Sequence, residues 1–112
     1  MDLPIRAMTQ ADVERLVRRE FSPADVEQAL TILGEYTDRE TQRVRAAAIK
    51  LSDGDLTHLR QAVSIAQVDW RDVLAPAEFP SQCGKRFDQS TEPEKEAIRR
   101  KDWEVYWRWF DR

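Results

Sequence analysis

Residues 53–74 read DGDLTHLRQAVSIAQVDWRDVL, and their apolar positions decide the fold. Leu56, Leu59, Val63, Ala66, Trp70 and Val73 recur at intervals of 3-4-3-4-3, the spacing that puts side chains on one face of an α-helix. The pattern reads as a heptad seam or as the core stripe of an amphipathic helix. A coiled coil needs it sustained over more length, so a bundle is favoured. Upstream, Gly54 supplies the positive φ that a helix end prefers, and Asp55 caps the helix that follows. Asp69 marks a kink, where its side chain can cap a separate short helix through Leu74. Pro76 and Pro80 bracket the exit.

The same periodicity extends towards both ends. Thr9-Gln10-Ala11-Asp12 starts a helix with Val13, Leu16 and Val17 on one face, and Phe21 closes the stripe. Ser22-Pro23-Ala24-Asp25 sets a capping hydroxyl before a proline at the first helical position. Val26, Leu30 and Leu33 follow, flanked by Ala29, Ile32 and Tyr36. Gly34 weakens the last turn by about 1 kcal/mol relative to Ala, which predicts an end near Tyr36. Thr37-Asp38-Arg39-Glu40 is a third capping pattern, ahead of Val44, Ala47, Ala48 and Leu51. The run Ala46 to Ala48 predicts close approach of a neighbouring helix.

The fold expected is all-α, a compact bundle of five or six short helices with an aromatic-rich C-terminal helix. Residues 1–80 form the bundle core in this reading. Residues 81–92 form a loop or linker, part of the unperiodic stretch PSQCGKRFDQSTEP (residues 80–93). Residues 93–112, started by the Thr91/Glu94 capping pair, form an amphipathic helix packing on the bundle or on a partner. The expected core is Val13, Leu16, Val17, Val26, Leu30, Leu33, Val44, Ala48, Leu51, Leu56, Leu59, Val63, Ala66, Trp70 and Val73.

With 112 residues the chain is one domain. Three Gly and five Pro in that length argue against a turn-rich β-sandwich. The 18 Lys and Arg are outnumbered by 21 Asp and Glu, which argues on charge against nucleic-acid binding. Arg15, Arg18, Arg19, Arg39, Arg43, Arg45 and Lys50 could line up as a basic stripe, but Glu14, Glu20, Asp38 and Glu40 are interleaved, as on a solvated helix face. The single cysteine, Cys83, cannot form an intramolecular disulfide. The opening MDLPIRAMTQ has no apolar signal region, and no stretch approaches the ~20 apolar residues of a membrane span. A soluble cytoplasmic chain is expected.

The densest candidate site is the last helix. Trp103, Tyr106, Trp107, Trp109 and Phe110 are half of the ten aromatic residues. On a helical projection Ile98, Val105 and Trp109 lie on one edge and the other rings sweep around, interrupted by Asp102. An arc this wide is gripped on two sides by its own domain or meets another chain. Trp, Tyr and Arg are enriched in binding hot spots. Residues 92–112 carry six acidic and six basic side chains, against the cationic excess of a membrane-surface helix.

The remaining candidates have plain structural explanations. His58, the only histidine, lies three residues after Asp55 and has no second histidine to complete a metal site; no metal and no cofactor are expected. Asp53 and Asp55 are explained by a turn and a cap. Cys83 lies near Lys85 and Arg86, a cationic setting that favours a reactive thiol, but no histidine adjoins it as a base. Asp69, Trp70, Arg71 and Asp72 make a possible polar patch, joined by Glu78, Phe79 and Pro80. The structural alternative is that Trp70 and Phe79 are core and Arg71 clamps the tryptophan.

The stretch from Arg43 to Pro80 carries an Arg-Val-rich helix, the turn Lys50-Leu51-Ser52-Asp53-Gly54-Asp55-Leu56, and Asp69-Trp70-Arg71-Asp72-Val73-Leu74 leading to Glu78-Phe79-Pro80. In this it resembles a block of a family of small bacterial helical proteins of unknown function. The resemblance implies a small helical protein and no activity. The function expected is a non-catalytic protein-interaction or self-association module built on the aromatic helix, with a protein partner or homodimer. The alternatives are a small enzyme or enzyme subunit using Asp69, Arg71 and Asp72, and a nucleic-acid-binding protein.

Overall fold

The computed structural model describes residues 3, 4 and 6–112. Met1, Asp2 and Ile5, part of the opening stretch read above, lie outside the described residues. Among the described residues there are seven α-helices and no strand: α1 (Gln10–Glu20), α2 (Val26–Gly34), α3 (Thr41–Ser52), α4 (Leu56–Val68), α5 (Arg71–Glu78), α6 (Lys85–Asp88) and α7 (Glu92–Asp111). No helix among them is long and apolar enough to cross a membrane.

Helix α3 is the centre of the bundle and packs against α1, α4 and α5. Ala46, Ala47, Ala48 and Ile49 are all buried, because small side chains let neighbouring backbones approach from several directions. Helix α1 starts on a capping box: the Thr9 hydroxyl accepts from the Asp12 N–H, and the Asp12 carboxylate accepts from the Thr9 N–H. Helix α7 repeats the device with Thr91 and Glu94. Asp55 caps α4 by accepting the His58 N–H at 3.0 Å, and Gly54 takes the left-handed φ of 76° expected of it.

Two helix starts lie later in the chain than the sequence suggests. Residues 23–25 form a turn closed by the Asp25 N–H on the Ser22 carbonyl, and α2 begins at Val26. Thr37 does not cap α3, which begins at Thr41 behind Glu40 at φ 53°. The reason is a set of bonds that holds residues 36–40 as a turn. The Tyr36 hydroxyl donates to the Arg39 carbonyl at 2.6 Å, and the Arg45 guanidinium donates to the Tyr36 carbonyl at 2.8 Å.

Of the expected core, Val26, Leu30, Leu51, Leu56 and Trp70 are only partly buried and pack against its edge. On α2 the buried face is Ala29, Ile32 and Leu33, with Tyr36 beyond it, so the helix is rotated from the predicted stripe. The kink at Asp69 is present, but α5 continues past Leu74 to Glu78 with Pro76 inside it. The expected loop after Pro80 is partly structured, as a 3-10 turn (Pro80–Gln82) and the single turn of α6.

Candidate functional site

The C-terminal half of α7 is docked on its own chain. Tyr106, Trp107, Trp109 and Phe110 are buried, most of their surface being covered by the chain itself, and the wide apolar arc is gripped on two sides. One side meets α5 and the 3-10 turn. On the other, α1 supplies cations and an acceptor: Arg15 lies over Phe110 at 4.9 Å, Arg19 over Trp109 at 5.1 Å, and the Trp109 indole N–H donates to Glu20 at 2.9 Å. The rings stack edge-on, Tyr106 on Trp107 at 5.2 Å and Trp107 on Phe110 at 5.1 Å. Such pairs add to area burial. Val105, expected on the apolar edge with Ile98 and Trp109, is 42% exposed, because the packed faces lie elsewhere on the helix.

Asp102 is buried rather than an interruption of the apolar arc. Its carboxylate accepts from the Ser81 N–H and the Gln82 side-chain amide, each at 3.1 Å, and so ties the 3-10 turn to α7. A second buried charge lies nearby. Glu78 at the end of α5 is held on both oxygens by Arg43 of α3, at 2.6 and 2.9 Å. Glu78 also raises the pKa of Tyr106, where burial is the larger cause. The Tyr106 hydroxyl has no hydrogen-bond partner among the described residues.

These elements frame a cleft of about 750 Å³. Phe79, Trp103, Tyr106 and Trp107 give it aromatic walls, Leu3, Pro4 and Pro93 add apolar surface, and Glu78 also lines it. Arg99 and Arg100 bring cations to it, with Glu92 and Glu96 beside them. Phe79 is 37% exposed, so it is a wall of the cleft and not part of the core. Trp103 is half-buried, and its indole N–H donates to the Pro4 carbonyl at 2.8 Å.

The polar patch is split: Glu78 and Phe79 line the cleft, whereas Asp69, Trp70, Arg71 and Asp72 are not among its lining residues. Arg71 is 73% exposed and grips Asp69 through two side-chain bonds at 3.0 Å, which holds the Asp69 carboxyl below its usual range. It clamps Asp69 and not Trp70. The Asp69 carboxylate also accepts the Arg71 N–H, an Asx-type turn just ahead of α5, whose cap position is Trp70 and not Asp69 as expected. Asp72 is exposed. The basic stripe is largely spent on internal contacts: Arg15 and Arg19 on rings, Arg43 on Glu78 and Arg45 on Tyr36. Cys83 is free and exposed. Among the described residues no three His, Cys, Asp or Glu side chains converge as a metal site.

Sequence reasoning found the aromatic helix but missed Arg43, Asp102 and the Leu3, Pro4 and Arg6 contacts. The one signal for Asp102 was a charge set within an apolar arc. Comparison with protein-family models, curated proteins and solved structures gave no significant match.

Proposed function

We propose that the chain is a non-catalytic protein-interaction module whose aromatic cleft docks an extended segment of a partner protein. The carrying observation is the wall chemistry. Four aromatic side chains wall one part of the cleft, and Glu78, Glu92, Glu96, Arg99 and Arg100 border it with charge of both signs, so apolar ligand surface can be buried while polar groups orient it. Glu78 is bound on both oxygens by Arg43 and so acts as a fixed wall rather than a mobile base. The Tyr106 hydroxyl supplies polarity at the same site. A free, exposed Cys83 fits a reducing compartment such as the cytoplasm.

Self-association is the second form of this reading, favoured by Val68 at 89% and Ile65 at 47% exposure on α4. Sedimentation of the intact chain and of Val68→Glu separates it from partner binding. The enzyme alternative is weaker because Arg71 occupies Asp69 outside the cleft. The nucleic-acid alternative is weaker because Arg15, Arg19, Arg43 and Arg45 of its stripe are engaged internally. The resemblance across residues 43–80 adds no activity.

The test is a peptide array probed with the intact chain and with Phe79→Ala, each checked for helicity. Binding of extended segments that Phe79→Ala abolishes supports the reading. No binding, or binding indifferent to Phe79, overturns it.

A further inference from the structure

Leu3, Pro4 and Arg6 precede α1 and lie along α7. The Pro4 carbonyl accepts from the Trp103 indole. The Arg6 guanidinium lies over Trp107 at 4.7 Å and Phe110 at 5.2 Å, and donates to both oxygens of Asp111 at 2.7 and 2.9 Å. Trp103, Trp107 and Asp111 follow one another at four-residue intervals, so they form a line along one face of the helix. Four residues of helix rise about 6 Å, and two residues of extended chain advance roughly 6.6 Å. A segment with proline and arginine two positions apart therefore meets successive turns of α7 in step.

We infer that this ridge of α7 is a recognition site for an extended protein segment of the form Pro-x-Arg, occupied in cis by the chain's own arm. This rests on the cleft reading above and names its ligand. The two rings brace each other, Trp107 stacking edge-on against Phe110 at 5.1 Å, and Phe110 also carries Arg15 of α1, contacts that do not involve the arm. The arm is weakly held by comparison. The Arg6 and Asp111 side chains are 41% and 54% exposed, and an ion pair that wet contributes little. A partner segment with the same chemistry displaces Arg6, seats its own arginine between the indole face and Asp111, and reaches the cleft that Leu3 and Pro4 border.

The test uses the full chain and a labelled synthetic peptide of sequence LPIRAMT, followed by fluorescence anisotropy. Arg6→Ala loosens the arm, and Arg6→Gln replaces it if the alanine variant does not fold. The peptide is expected to bind the Arg6 variant at least about tenfold more tightly than the unaltered chain. It is expected to lose at least about tenfold when its own arginine becomes alanine, which removes the ring contacts together with the ion pair, and about two- to threefold when Asp111→Asn is added to the chain. Equal affinity for both chains or for both peptides, or no binding to the Arg6 variant, overturns the inference. The two readings fail separately. Array peptides that bind through Phe79 but are indifferent to arginine sink this inference and leave the cleft standing, whereas an array with no Phe79-dependent binding sinks the cleft itself.

Discussion

Replacing Glu78 by Gln leaves the Arg43 guanidinium buried without a counter-charge. Both side chains are largely out of solvent, 14% and 8% exposed, and they join helices thirty-five residues apart in sequence. Removing one partner of a buried ion pair costs about 3–5 kcal/mol, while replacing both by well-packed apolar groups is near neutral or stabilising. At this chain length about 4 °C of melting temperature accompanies each kcal/mol, so Glu78→Gln should melt roughly 12–20 °C lower. Thermal unfolding followed by helical circular dichroism reads this directly. The double variant Arg43→Met/Glu78→Leu should recover most of the loss, since the cost comes from an orphaned charge and not from lost volume. A single variant within about 1 kcal/mol of the parent would refute the reasoning, and so would a double variant as unstable as the single.

Three other outcomes are expected. A Cβ at Gly54 would lie 2.5 Å from the Glu20 carbonyl oxygen at a φ of 76°, so Gly54→Ala should lose on the order of 2 kcal/mol by denaturant titration. Asp102→Ala should cost about 1–3 kcal/mol by leaving two donors unsatisfied, and should speed hydrogen exchange at the Ser81 amide. Both tyrosines have raised pKa values, each chiefly through burial. The stability this reflects is complete below the ordinary value near 10 and falls as pH climbs above it, so the tyrosinate absorbance of Tyr106, the more deeply buried of the two hydroxyls, should appear together with unfolding.

The helices were legible wherever a local device set them: Thr9 with Asp12, Thr91 with Glu94, Asp55, and the apolar spacing of α4. Where the outcome depended on residues far along the chain or on turn bonds, spacing carried no signal. The start of α3 is decided by Arg45 and Tyr36 hydrogen bonds, which a capping motif at Thr37 does not reveal. The rotation of α2 depends on what its neighbours present. At the candidate site the aromatic residues announced themselves by density, but their burial followed from Arg15, Arg19 and Glu20 on α1. The Arg43–Glu78 pair and the Arg6–Asp111 clasp join positions that no periodicity connects.

Helix α3 has no side turned to water along Ala46, Ala47 and Ala48, so its tolerance of change differs from that of the rest of the chain. An added methylene there cannot be absorbed by one neighbour yielding, because α1, α4 and α5 close on it together. Variation among natural or engineered versions should therefore avoid this axis and accumulate on outward-facing positions such as Thr57, Arg60, Gln61 and Ser64 of α4, where a new side chain meets solvent.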